Sequence, residues 1–387
     1  MKYKFDKIID RRNTNCVKYD MTKGIFGRDD IIPMWVADMD FETAPEIITE
    51  LEEKAKKGIY GYTFRPDSYY DAIINWQKKR HQWEIQKSWI CFSPGIVAAL
   101  NFIIQEFTQP QDKVIIQTPV YFMFMAAVKD NNRTIVVNEL IEDKGYYTIN
   151  FKELKQQMID GAKAIILCNP HNPVGRVFTY EELKKIGELA IKYNVLIISD
   201  EIHCDIIRPG YKHIPIANIS EDIANQCITT IAASKSFNLT GLSTSAVIIS
   251  NPEIRKQYEK FINTLHVNYG NLFGNFATEA AFKHGEEWLN ELNVYLDQNH
   301  KFLETYINTY LPQLRLIKAE STFLAWIDFS ALNKSTKELK DWLVNTCKLG
   351  LSSGVDFGKG GEAYMRINIG CPRSVIEKAL NRIKENI

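Results

Sequence analysis

Several polar residues of this sequence stand at the ends of short apolar runs, where side chains of their types have chemistry open to them. Lys235, in Ser234-Lys235-Ser236-Phe237-Asn238, follows the run Ile228 to Ile231, and a primary amine placed there can attack a carbonyl to form a Schiff base. Taken alone it reads first as a solvated loop lysine. Asp200 directly follows the run Val195 to Ser199, where burial penalises a carboxylate unless a cation offsets it. Its plainer reading is a turn or helix-cap aspartate. Arg366 lies inside the apolar run Tyr364 to Ile369, and a guanidinium is costly to bury without an anion. Its planar fork suits two-point contact with a carboxylate; the alternative is a surface arginine on an edge strand. Ser93-Pro94-Gly95-Ile96-Val97 opens an amphipathic run, so its backbone N–H groups could face an anion at a helix N-terminus, although a plain helix start explains the same letters.

An amine, an acid that can meet a cationic ring nitrogen and an anion site are what pyridoxal 5'-phosphate (PLP) requires. The elements that must hold them are legible between these motifs. Continuous apolar runs at Lys113 to Gln117, Ala164 to Cys168, Val195 to Ser199, Ile228 to Ile231 and Ala246 to Ser250 read as strands buried on both faces. Helical patterns lie between them, such as Tyr180 to Tyr193 with Thr179 and Glu182 at capping-box spacing. Alternating strands and helices predict an α/β fold with a mostly parallel sheet flanked by helices. In such sheets ligands bind beyond the carboxyl ends of the strands. Tyr121, Asn172, Asp200 and Lys235 all follow strand ends and should converge on one rim.

After about residue 284 the pattern changes to a long helix, the strand Phe323 to Phe329, another helix, the strand Tyr364 to Ile369 and a final helix. The expected division is an N-terminal segment, 1–45, packing on the smaller lobe; a large PLP-binding domain, 46–284; and a small α+β domain, 285–387.

Composition narrows the function classes. The 387 residues balance 47 basic against 47 acidic side chains, which argues against nucleic acid or anionic membrane as partner and for a small molecule. No run approaches the roughly 18 to 20 apolar residues of a membrane helix, and the N-terminus lacks the apolar core of a secretory signal, so a cytoplasmic location is expected. The seven cysteines are scattered without a C-x-x-C pair, which makes a disulfide framework improbable. Cys168 with His171 and His203 with Cys204 lack a second half at zinc-ligand spacing, so no metal is expected.

With these motifs in place, the chain resembles the fold type I PLP enzymes of the aminotransferase class I/II superfamily, and more narrowly the MalY/PatB-type cystathionine β-lyases. The resemblance rests on Ile32 to Phe41 (IPMWVADMDF), Gly61-Tyr62, Thr118 to Tyr121, Asn169 to Gly175 (NPHNPVG), Ser199 to His203 (SDEIH), Ser234 to Asn238 (SKSFN), Ser321 to Asp328 (STFLAWID) and Arg366 to Arg373 (RINIGCPR), which span nearly the whole chain in order.

The resemblance implies that Lys235 carries the Schiff base and moves protons, that Asp200 pairs with the ring nitrogen, and that Asn172 bonds the ring hydroxyl. His203 falls where many aminotransferases have a tyrosine near the same oxygen. Tyr121 would stack on the ring, where the bland alternative is a core aromatic. Ile96 and Val97 would offer N–H groups to the phosphate, Ser234 a hydroxyl, and Tyr62 would reach it from the neighbouring subunit of a homodimer. Arg366 would clamp the α-carboxylate of an amino-acid substrate, with Asn172 and Tyr121 also bordering that substrate.

Two positions depart from the pattern. Residue 232 is alanine where some relatives carry a phosphate-binding serine, and residue 243 is serine where aminotransferases often carry a phosphate-binding arginine. The second departure fits the lyase branch.

The implied reaction is β-elimination from cystathionine or a related cysteine S-conjugate, giving a thiol (homocysteine from cystathionine), pyruvate and ammonia. An aminotransferase shares the early steps, and a PLP-binding regulatory protein is a rival of another class, although no helix-turn-helix or basic region is appended. Met34, Trp35, Phe122 and Phe124 are candidates for an apolar substrate wall, with ordinary core packing the simpler reading.

Overall fold

A computed structural model describes residues 2–387. Its central sheet has seven strands: β1 (Ile90–Ser93), β2 (Lys113–Ile116), β3 (Thr134–Val137), β4 (Ala164–Cys168), β5 (Leu196–Asp200), β6 (Cys227–Ile231) and β7 (Ser245–Ile248). They lie in the order β1-β7-β6-β5-β4-β2-β3. β3, β2, β4, β5 and β6 pair in parallel, while β7 runs antiparallel to both neighbours.

Strands β4, β5 and β6 are buried along their full lengths, as expected where helices cover both faces. β1 and the half-buried edge strand β3 lie outside the sequence expectation. The helix Tyr180–Tyr193 has its capping box: Glu182 N–H donates to Thr179 Oγ1 at 3.2 Å and Thr179 N–H to Glu182 Oε2 at 2.8 Å.

A second sheet, antiparallel throughout, comprises β8 (Arg315–Leu316), β9 (Leu324–Asp328), β10 (Ser352–Ser353) and β11 (Tyr364–Asn368), ordered β8-β9-β11-β10. The long helix Glu286–Tyr310 and the final helix Arg373–Lys384 pack with it around Leu303, Ile307, Ile327, Ile367 and Leu380. The N-terminal segment binds here at several points. Ile32–Pro33 pairs in parallel with Leu349–Gly350, Lys2 bonds Glu287 and Glu291, and Tyr295 donates to Asp6. Among the described residues no helix is long and apolar enough to cross a membrane.

Register in the central sheet positions the chemistry. Cys168 pairs with Asp200 and Asp200 with Thr230, so β4, β5 and β6 end side by side. Asn169, Asp200 and Ala232 therefore leave the sheet on one edge, and the turn that carries Lys235 follows at once.

Candidate active site

Beyond those strand ends lies a cavity of about 260 Å³. Its walls bring together most of the residues that the sequence proposed: Ile96, Val97, Tyr121, Asn172, Asp200, His203, Ser234 and Lys235.

Asp200 is the last residue of β5 and is 4% exposed. Its Oδ1 accepts the Ile202 N–H at 3.1 Å, too little to offset burial, which pushes the carboxyl up to about 7. Lys235 lies in the single turn Ala233–Ser236, and its Nζ donates to Ala37 O at 2.6 Å. Burial brings its amine down to about 8; Asp38 and Asp200 act against that fall and Arg366 adds to it. Lowering the amine this far raises its neutral, nucleophilic fraction near neutral pH.

His203 is buried, and burial together with the Lys235 and Arg366 charges holds it down at about 3, so the ring is neutral. Its Nδ1 has no protein partner. Tyr121 precedes the helix Phe122–Asp130, and its backbone N–H donates to Asn172 O at 3.1 Å, tying the two loops together.

At another wall Gly95, with φ +146°, precedes the helix Ile96–Phe107; nothing lies within 4 Å of where its Cβ would be. The conformation favours glycine, and it leaves the first-turn N–H groups of Ile96 and Val97 free of intrahelical partners. Ala232 and Ser243, the two departures from the aminotransferase pattern, also line the cavity.

Arg366 stands behind Asn172, is 2% exposed and is met only by neutral acceptors among the described residues. Nη1 donates to Asn172 Oδ1 at 3.1 Å, and Nη2 to Trp35 O at 2.8 Å and Ser352 Oγ at 3.2 Å. Its Nε has no partner, and burial lowers the guanidinium to about 10. A buried cation with no paired anion carries a burial cost that a carboxylate would offset.

Together these features fit PLP: a low-pKa amine, a buried carboxyl lacking a cation, an unpartnered imidazole nitrogen and free helix N–H groups surround one cavity. Tyr62 is elsewhere. It is fully exposed on an irregular stretch with Ile59, Tyr60 and Phe64, and lies outside the cavity walls.

Sequence reasoning missed Thr240 and Thr244, which line the cavity beside Ser243, and Ala37, whose contribution is a backbone carbonyl. The hydroxyls could have been suspected from the Ser/Thr-rich stretch after Lys235; a carbonyl leaves no signal in residue type. Of the four apolar guesses, Met34 and Phe124 are buried in the core, whereas Trp35 and Phe122 line a second cavity of about 640 Å³ that also includes Ser352 and Phe357.

Cys168 and His171 turn to backbone carbonyls, of Pro170 and Pro119 respectively. His203 lines the cavity and Cys204 does not; Cys204 lies with His81 and Asp205, ligand-type atoms within 4.8 Å of one another. The Asp205 carboxylate there is already engaged by Trp76, His81 and Ser236.

Residues 29–383 match the family model described as aminotransferase class I and II. The chain belongs to that family. It is 42% identical over 382 residues to the cystathionine β-lyase PatB of Bacillus subtilis, covering 98% of each protein. Protein MalY of Escherichia coli is 30% identical, covering 98% of this chain and 97% of MalY. Among solved structures, cystalysin from Treponema denticola, which contains a pyridoxal 5'-phosphate cofactor, superposes with a TM-score of 0.97 at 36% identity, covering 100% of this chain and 99% of cystalysin. The family shares a fold type with a mostly parallel sheet, as observed here.

Proposed function

We propose that this protein is a PLP-dependent carbon–sulfur β-lyase acting on cystathionine or a related cysteine S-conjugate. The observation that carries the reading is the pairing, around one cavity, of a lysine held at about 8 with a buried carboxyl at about 7 that lacks a cation. The name of the PatB relative, a cystathionine β-lyase, supports the direction of the chemistry.

When bound, PLP supplies an electron sink for the charge that develops at the substrate's Cα. Asp200 would hold a proton on the ring nitrogen, each charge relieving the other's burial. Asn172 and neutral His203 would lie by the ring oxygen, Tyr121 would cover a face, and the N–H groups of Ile96 and Val97 with Ser234 would hold the phosphate. Arg366 grips the α-carboxylate and fixes Cα near Lys235. Lys235 Nζ takes the Cα proton. The C–S bond at Cβ then breaks, and that proton is available to the departing thiolate; hydrolysis of the three-carbon remainder yields pyruvate and ammonia.

A homodimer belongs to the proposal, because Ile59, Tyr60, Tyr62, Phe64 and Tyr269 form exposed apolar surface of the kind a partner covers, and a second copy would bring its Tyr62 to the phosphate. The division into segments 1–45, 46–284 and 285–387 is proposed likewise, as is a cytoplasmic location.

The test is incubation of PLP-loaded protein with cystathionine and no keto acid, following pyruvate and free thiol. Multiple turnovers are expected. Release of one equivalent or less would reject the lyase reading for a transaminase. Lys235→Ala should cut turnover by at least about 10³-fold, in line with general-base losses.

A further inference from the structure

Residues 35–40 have no regular secondary structure, yet their carbonyls are taken by side chains from distant parts of the chain. Trp35 O accepts Arg366 Nη2 at 2.8 Å and Ser352 Oγ at 2.9 Å. Val36 O and Asp38 O each accept Asn368 Nδ2 at 2.6 Å, Ala37 O accepts Lys235 Nζ at 2.6 Å, and Met39 O accepts Asn238 Nδ2 at 2.9 Å. One short peptide thus touches both cations of the proposed site, with the two acceptors only two residues apart.

A segment without ladder partners takes its shape from its neighbours, and here ions act beside the amides of Asn368 and Asn238. Arg11 straddles the segment: Nη2 meets Asp38 Oδ2 and Nη1 meets Asp40 Oδ1, each at 2.7 Å, while Nη1 also donates to Met39 O at 3.1 Å. Lys18 Nζ reaches Asp40 Oδ2 at 2.7 Å with its side chain 1% exposed, and Tyr19 Oη donates to the same oxygen at 3.0 Å. Two cations face two carboxylates, which makes so deep a cluster tolerable. Neither Arg11 nor Lys18 lines the cavity.

Arg366 depends on this arrangement. Of its three acceptors, Trp35 O belongs to the segment and Ser352 Oγ is itself bonded to Trp35 O. No carboxylate holds the guanidinium in place, so its aim is set by the Trp35 carbonyl on Nη2 together with Asn172 Oδ1 on Nη1.

We propose that Arg11 is a positioning residue: by clamping Asp38 and Asp40 it fixes the carbonyls that aim Arg366 at the substrate's α-carboxylate beside Lys235. The proposal rests on the lyase reading only in taking Arg366 as the carboxylate's partner.

The test uses PLP-loaded Arg11→Gln, Arg11→Lys and, as a control, Arg315→Gln, whose ion pairs with Glu142 and Asp328 lie away from the cavity. Two quantities are measured: kcat and KM for a cysteine thioether, and the calorimetric Kd of 3-(methylthio)propionate, a carboxylate without an amine. Arg11→Gln should raise KM and that Kd about tenfold, the worth of one charged hydrogen bond, with kcat within about threefold. Arg11→Lys should recover at least half of the loss, and Arg315→Gln should change neither.

Unchanged KM and Kd in folded Arg11→Gln would overturn the proposal, as would equal shifts in Arg315→Gln. Should Arg11→Gln fail to fold, Asp40→Asn, which leaves Asp38 paired with Arg11 and, at 3.7 Å, with Lys18, must show the same split or the proposal falls. Arg366→Gln separates the two ideas. If it leaves the Kd unchanged, the lyase reading of Arg366 fails and takes this proposal with it; if it raises the Kd while Arg11→Gln does not, only the positioning role fails.

Discussion

Replacing Asp200 by asparagine should have opposite effects on the cofactor-free and cofactor-loaded protein. In the cavity as it stands the carboxyl titrates near 7 instead of 3.8, because burial disfavours its charge and the Ile202 N–H offsets only part of that penalty. The folded chain therefore keeps this proton up to about pH 7, whereas the unfolded chain releases it near 3.8. The cost of ionising it is absent below about pH 4, grows as pH rises and is complete above 7. A rise of about three pKa units corresponds to about 4 kcal/mol as an upper figure. With an unfolding entropy near 2.1 cal/mol/K per residue, that is a melting shift of about 5 °C for a chain of this length.

Apo Asp200→Asn should thus melt together with apo wild type at about pH 4 and up to about 5 °C above it at pH 8. With PLP the order reverses: a neutral amide cannot compensate a ring cation, so PLP affinity should fall by about tenfold or more. Differential scanning of both apoproteins across pH, with PLP titration by absorbance, reads both arms. If the two apoproteins melt alike at every pH, the burial argument for Asp200 is wrong, whatever happens to activity.

Arg366→Lys, which keeps the charge but loses the fork held by Asn172, Trp35 and Ser352, should lower kcat/KM by about 10- to 100-fold, chiefly through KM, in steady-state assays with a cysteine thioether. Ile197→Ala, in fully buried β5, should cost about 2 to 5 kcal/mol by urea denaturation of the PLP-free protein. Thr179→Ala removes the capping-box hydroxyl and should cost about 1 kcal/mol in the same experiment while leaving kcat/KM unchanged.

What could be foreseen from sequence was what side-chain type announces. β4 was placed residue for residue because its five apolar residues are buried on both faces, and the helix Tyr180–Tyr193 because its cap is written in Thr179 and Glu182. The strand ends carrying Asn172, Asp200 and Lys235 did converge, since parallel pairing leaves their loops on one edge. What escaped was chemistry done by backbone. Ala37 holds Lys235 through a carbonyl that any residue would possess, and the 35–40 segment is shaped by partners as remote as Arg11 and Asn368. The apolar letters of β7 mark a strand but not its antiparallel direction, which depends on the connection. Tyr62 was expected at the phosphate from a neighbouring subunit; within one chain it is simply exposed.

The aligned ends of β4, β5 and β6 limit how this chain can change in length. Because Cys168, Asp200 and Thr230 sit opposite one another, deleting a single residue inside β5 would carry Ser199's neighbour to the wrong side of the pleat, turning the carboxylate away from the cavity while leaving the composition almost untouched. Substitutions along these strands can be graded by volume, but insertions and deletions there are all-or-none. Length variation compatible with the site is therefore confined to the connections at the opposite edge of the sheet and to helices other than Ile96–Phe107 and Ala233–Ser236, which bear parts of the cavity wall.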